Sequence, residues 1–205
     1  MTARKEILER LREQKRVTAR PAPWTLHREF EDMAAQFTRA LTAVKGQVVR
    51  ATPDDLIPVL DQILRTHHVT RAVVNGDCPI PTETLFHAFP NVAWGDTVDR
   101  AFLTIADVGI SGAKAALAET GSVVVDSGPN KSRLATLLPP IHVALVKTSQ
   151  LVPDLIAYMA ARNGDFPANR VLISGPSKTA DIEQTLVVGV HGPKQFIVVL
   201  VDDGD

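Results

Sequence analysis

Phe196-Ile197-Val198-Val199-Leu200-Val201 is apolar at every position. A strand with one face in water alternates apolar and polar side chains. An unbroken apolar run rich in β-branched residues therefore predicts a strand buried on both faces, at the centre of a parallel sheet. Working back along the chain, further strand candidates are Gln47-Val48-Val49, Arg71-Ala72-Val73-Val74, Asn91-Val92-Ala93-Trp94, Ser122-Val123-Val124-Val125, Ile141-His142-Val143-Ala144-Leu145-Val146 and Arg170-Val171-Leu172-Ile173. Helical stretches fall between them. One spans about Pro53 to Thr66, with Pro53 just inside its start and Asp54 and Asp55 in its first turn. Another is expected from Leu151 to Arg162, closed by Asn163-Gly164. This alternation predicts an α/β fold, a mostly parallel sheet flanked by helices.

Ahead of these elements the pattern is helical. Arg4 to Arg16 reads as a short surface helix, broken by Arg20-Pro21-Ala22-Pro23. Leu26, Phe30, Met33, Phe37, Leu41 and Val44 then recur three and four apart, the stripe of a helix that docks on its own core or on a partner. The expected organisation is an N-terminal helical extension over residues 1–45 and one α/β domain over 46–205.

The 205 residues are 45% hydrophobic and 22% charged, an ordinary globular composition. A formal net charge of −1 supplies no positive field for nucleic acid or anionic membranes. No apolar stretch approaches the roughly 18 residues of a membrane span, and the mixed-charge N-terminus is unlike a signal region, so a cytoplasmic protein is expected. Cys78 is the only cysteine. An iron–sulfur cluster normally takes about four thiolates, so no cluster is expected on this chain, nor any other bound cofactor. No His-Glu-x-x-His or Cys-x-x-Cys spacing occurs, and no metal site is expected.

Polar, glycine-bearing loops beside strands are where α/β proteins bind ligands. Ala118-Glu119-Thr120-Gly121 precedes a strand; Glu119 is a candidate nucleophile or general base, or a solvated residue in a tight hairpin. Ser127-Gly128-Pro129-Asn130-Lys131-Ser132-Arg133 follows the same strand. There the Arg133 guanidinium is a candidate clamp for a carboxylate or phosphate. A third segment places Gly175, Ser177, Lys178, Thr179, Asp181 and Glu183 at what reads as a helix start, a candidate anion site. It is not a nucleotide P-loop, because Ser177 and Leu172 stand where that motif requires glycine. His191, in Gly189-Val190-His191-Gly192-Pro193, is a candidate proton shuttle.

Taken together, Asp107-Val108-Gly109-Ile110-Ser111-Gly112-Ala113, Ala118 to Gly121, Ser127-Gly128-Pro129, Leu137-Leu138-Pro139, Ser174 to Glu183 and Gly189 to Pro193 resemble, in order and spacing, the lactate utilisation protein C family (LutC/YkgG, with its LUD domain). The resemblance implies a fold similar to the NagB/RpiA/CoA-transferase group. It also implies a part in oxidising L-lactate to pyruvate beside partner proteins of the A and B type that bear iron–sulfur clusters. Under that reading Arg133 pairs with the lactate carboxylate and His191 or Glu119 takes the hydroxyl proton. The fold group leaves open a stand-alone transferase or isomerase acting on a small anionic, CoA-linked or phosphorylated metabolite through Glu119, or a non-catalytic scaffold or metabolite sensor.

Overall fold

The computed structural model describes residues 3–13, 28–161, 164, 167–179, 187–189 and 191–204. In chain order the elements are α1 (Ala3–Glu13), α2 (Met33–Ala43), β1 (Gln47–Ala51), α3 (Leu56–Thr66), β2 (Arg71–Val74), α4 (Thr82–Ala88), β3 (Ala93–Gly95), α5 (Arg100–Ile105) and β4 (Val108–Ser111). They continue with β5 (Ala115–Leu117), β6 (Ser122–Ser127), α6 (Leu134–Leu137), β7 (Ile141–Lys147), β8 (Leu151–Val152), α7 (Leu155–Ala160), β9 (Asn169–Ile173), β10 (Lys178–Thr179), β11 (Val187–Val188) and β12 (Gln195–Val201).

Six strands form one sheet in the order β1-β12-β7-β4-β2-β3. Every neighbouring pair in it is parallel. β12 lies between β1 and β7, and its alternate residues enter two different cores. Ile197, Val199 and Val201 face the core built with Leu60, Ile63 and Leu64 of α3, whereas Phe196, Val198 and Leu200 face a second core on the opposite side. Both faces of the strand are out of water, which is why no position in that run is polar.

The second core is not closed by helices alone. A four-stranded sheet, β8-β5-β6-β9, packs there. β6 pairs antiparallel with β5 and with β9, and its Val123 and Val125 meet Ala144, Val146 and Val198 of the parallel sheet. The runs at Ser122 and Arg170 are thus strands, as their β-branched content predicts, but of this separate sheet. α2 joins the same core by fully burying Phe37 and Leu41, with Asp32 capping its N-terminus at Ala35 N, 2.8 Å. Gly121 (φ 66°) closes the β5–β6 hairpin against the α2 backbone, where a Cβ would strike Leu41 N.

Several helix boundaries differ from expectation, two of them at helix starts with a clear local cause. α3 begins at Leu56 because Thr52 and Asp55 first close a turn through their side chains, 2.8 Å apart. Leu151 and Val152 form a strand, since Pro153 breaks the path and Asp154 caps the following helix at Ala157 N, 2.7 Å.

Candidate functional site

From β2 the chain winds outward to β3, whereas from β4 it winds the other way, to β7 and then β12. The boundary between β2 and β4 is therefore the point where the winding reverses, and the crevice beyond the carboxyl ends of those strands is where open α/β sheets bind ligands. Here the loop Asn75-Gly76-Asp77 leaves β2 and Gly112 leaves β4. Asp77 Oδ1 accepts the Gly112 N–H at 3.0 Å, bridging the crevice. Gly112 has to be glycine, because a Cβ would run into the Asp77 carbonyl oxygen.

The loop after β6 is pinned onto this crevice. Asn75, 1% exposed, accepts the Ser132 N–H through Oδ1 (3.1 Å) and donates Nδ2 to the Ser132 carbonyl (3.3 Å). Gly76 N–H donates to the Asn130 carbonyl at 2.8 Å. Asn130 sits in the left-handed region (φ 57°), which asparagine tolerates. These bonds tie the backbone of the Asn130–Ser132 turn, which carries Lys131 and precedes Arg133, to the loop that leaves β2.

Two clefts flank this pinned turn, sharing Thr97 and Asn130, and the smaller reaches Val74 and Gly76 at the end of β2. The larger, of about 700 Å³, is lined by Lys131, Arg133, Ser127 and Asn169 and contains no acidic side chain among the described residues. Neither Lys131 nor Arg133 forms an ion pair among the described residues, and the buried Asn169 Oδ1 has no hydrogen-bond partner there. The smaller, of about 440 Å³, is bounded by Phe86, Trp94 and Asp96.

The other expected site residues fall elsewhere. Gly175, Ser177 and His191 come together around a separate cavity of about 310 Å³ between the two sheets. Ser177 N–H binds the Pro193 carbonyl at 2.9 Å, which joins the two loops. Lys178 Nζ donates to the Val44 carbonyl at 2.6 Å. Lys178 and Thr179 are strand residues, paired antiparallel with Val188 and Val187, so the helix start expected at Ser177–Thr179 gives way to a β10–β11 ribbon. Asp181 and Glu183 lie outside the described residues.

Glu119 occupies the hairpin turn, its N–H bound to the Pro153 carbonyl (2.9 Å) and its Oε1 ion-paired with Arg28 Nε. It stands at the start of β6 and Arg133 beyond its end. Six strand residues separate the loops, and at about 3.4 Å per residue the span is roughly 17 Å, too far for both to touch one small carboxylate.

Sequence reading passed over Asn75, Asp77 and Thr97, and took Gly112 only as part of a family motif, although Asn75-Gly76-Asp77 directly follows a predicted strand and carries the polar, glycine-bearing signature of a ligand loop. It also passed over His142, the lone polar residue inside a run of buried strand positions. No group of three or more His, Cys, Asp or Glu side chains among the described residues could hold a metal ion, and no described helix is long and apolar enough to cross a membrane.

The architecture defines a doubly wound α/β domain with its ligand crevice at the winding switch. The LUD domain family matches residues 34–201, and the chain belongs to that family. It is 31% identical over 188 residues to lactate utilization protein C 1 of Bacillus mycoides, covering 84% of this chain and 80% of that one. Lactate utilization protein C of an Exiguobacterium species is 33% identical over 189 residues, 84% of this chain and 79% of that one. Among solved structures, a DUF162 family protein from Deinococcus radiodurans superposes with a TM-score of 0.59 over 82% of this chain and 96% of its own, at 23% identity, which speaks to the fold.

Proposed function

We propose that this chain serves the oxidation of L-lactate to pyruvate as the subunit that holds the carboxylate, with iron–sulfur partner proteins of the A and B type carrying the electrons. Support comes from the names of its relatives and, above all, from the larger cleft beside the turn pinned to the β2 loop, where Lys131 and Arg133 stand without acidic partners among the described residues. A guanidinium with no acidic partner among the described residues fits a carboxylate by a bidentate fork, and Lys131 adds a second positive charge.

In becoming pyruvate, lactate loses its hydroxyl and Cα protons and a pair of electrons. The electrons need a redox centre. Cys78 is the only cysteine, whereas a cluster normally takes about four thiolates. Clusters would sit on the partners.

The test is lactate-dependent dye reduction by the tagged protein, purified once alone and once with the proteins that co-elute from lactate-grown cells. Activity is expected only in the second preparation. Arg133→Ala in that preparation should raise KM for lactate roughly ten- to hundredfold, the worth of a charge-assisted hydrogen bond of about 1.5–3 kcal/mol. An unchanged KM removes Arg133 from carboxylate binding. A co-eluting preparation with no lactate-dependent reduction refutes the role itself.

A further inference from the structure

The smaller of the two clefts beside the pinned turn, of about 440 Å³, is far more space than the methyl group of lactate fills. Phe86 of α4 and Trp94 of β3 stand in its wall as an aromatic pair, ring centroids 5.2 Å apart and tilted by 40°. Phe86 is 41% exposed, so ring surface is left for another planar group. Asp96 Oδ1 accepts the Val98 N–H at 3.0 Å, and its Oδ2 has no hydrogen-bond partner among the described residues. No Lys, Arg or His lines this cleft among the described residues, so a carboxylate placed there would meet Asp96 without a counter-charge. The acid end of a ligand belongs in the larger cleft, with Lys131 and Arg133.

Thr97 joins the two. It lines both clefts and is only 6% exposed. Its hydroxyl makes no hydrogen bond among the described residues, whereas the buried Asn75, Ser111, Ser122 and Thr136 side chains all make one. Nor is its Oγ1 among the orphaned oxygens sealed from solvent. A polar group that deep is normally paired, and this one is open to a partner arriving where the clefts meet.

We propose that the two clefts together bind an aromatic 2-hydroxy acid. Its carboxylate pairs with Arg133 and Lys131, its 2-hydroxyl with Thr97 Oγ1, and its ring packs on Phe86 and Trp94. A ring N–H, as in indole-3-lactate, donates to Asp96 Oδ2. Cation, hydroxyl and aromatic pair follow one another across the clefts as acid, hydroxyl and ring do along such a molecule. The inference rests on the lactate reading for its reaction: the acid gives up its hydroxyl and Cα protons and a pair of electrons to become the 2-oxo acid, the electrons passing to the clusters of the partner proteins. It extends that reading to acids with a bulky planar side chain.

The test is calorimetric titration of the full-length chain with L-lactate, L-3-phenyllactate and L-indole-3-lactate, followed by dye reduction with the same acids in the co-eluting preparation. Burial of the benzyl group should make phenyllactate bind about ten- to hundredfold tighter than lactate, with KM falling in step. Phe86→Ala should shrink that advantage by about tenfold. Indole-3-lactate should bind tighter still, and Asp96→Ala should erase its lead over phenyllactate. Thr97→Val should weaken all three acids by several-fold, the worth of about one neutral hydrogen bond. Equal affinities for the three acids, or a ratio that Phe86→Ala leaves unchanged, would overturn the inference while the lactate reading stands. Tighter binding of the aromatic acids with no dye reduction by any of the three would instead sink the lactate reading and keep the site. If none of the acids binds, both fall.

Discussion

Acid should unfold this protein in large part through His142. Burial of the ring between the sheets holds its pKa down at about 3, against 6.5 for a free side chain. The folded protein therefore keeps the imidazole neutral at a pH where the unfolded chain takes up a proton. Because the folded value is the lower one, the stabilisation is fully present above about pH 6.5 and drains away as the pH falls toward 3. Each pH unit in that window is worth about 1.4 kcal/mol, so falling from about 6.5 to about 5 removes about 2 kcal/mol. That is a large part of a domain stability of about 5–15 kcal/mol. Urea denaturation of the wild type and His142→Gln, each at about pH 7.5 and about pH 5, isolates this residue from the chain's other five histidines. The wild type should lose about 2 kcal/mol more than the variant between the two conditions. Equal losses would show that His142 is not held neutral and would refute the reasoning.

Two other perturbations test the packing. Gly112→Ala forces a methyl group into the Asp77 carbonyl and should cost about 1–3 kcal/mol, read by calorimetry as a fall in Tm of about 2–4 °C per kcal/mol. Arg170 and Asp126 form a two-point ion pair between β9 and β6, 2.6 and 2.7 Å, with side chains only 14% and 12% exposed. Arg170→Met strands the Asp126 charge and should cost about 3–5 kcal/mol in urea denaturation, whereas adding Asp126→Leu should restore most of the loss.

How far these features could be read in advance depended on whether they were local. The Phe196–Val201 run announces a strand buried on both faces through its own composition, and β12 is such a strand. Arg170–Ile173 is legible as a strand, but nothing within those residues says that it pairs antiparallel with β6 in another sheet. β4 and β5 are short and built on Gly109, Ala115 and Ala116, weak strand formers whose conformation comes from neighbouring strands. The same holds for the site. Arg133 was legible as a cation in a turn, but that this turn is bonded to Asn75 and Gly76 after β2, some 57 positions earlier, has no local signal. Glu119 was read as either a reactive carboxylate or a hairpin residue, and its ion pair to Arg28, 91 positions earlier in the chain, had no local signal.

The place of β12 also shapes how this chain can acquire its structure. β1 and β7 touch each other only through it, and its partners in β1 are about 150 residues earlier, Gln47 facing Ile197 and Ala51 facing Val201. Until residues 195–201 insert, the sheet is split, with two apolar margins open to any other extended chain. Assembly should therefore be slow and should finish with a single closing event, and crowding of half-formed chains at that stage is where loss to aggregates should concentrate.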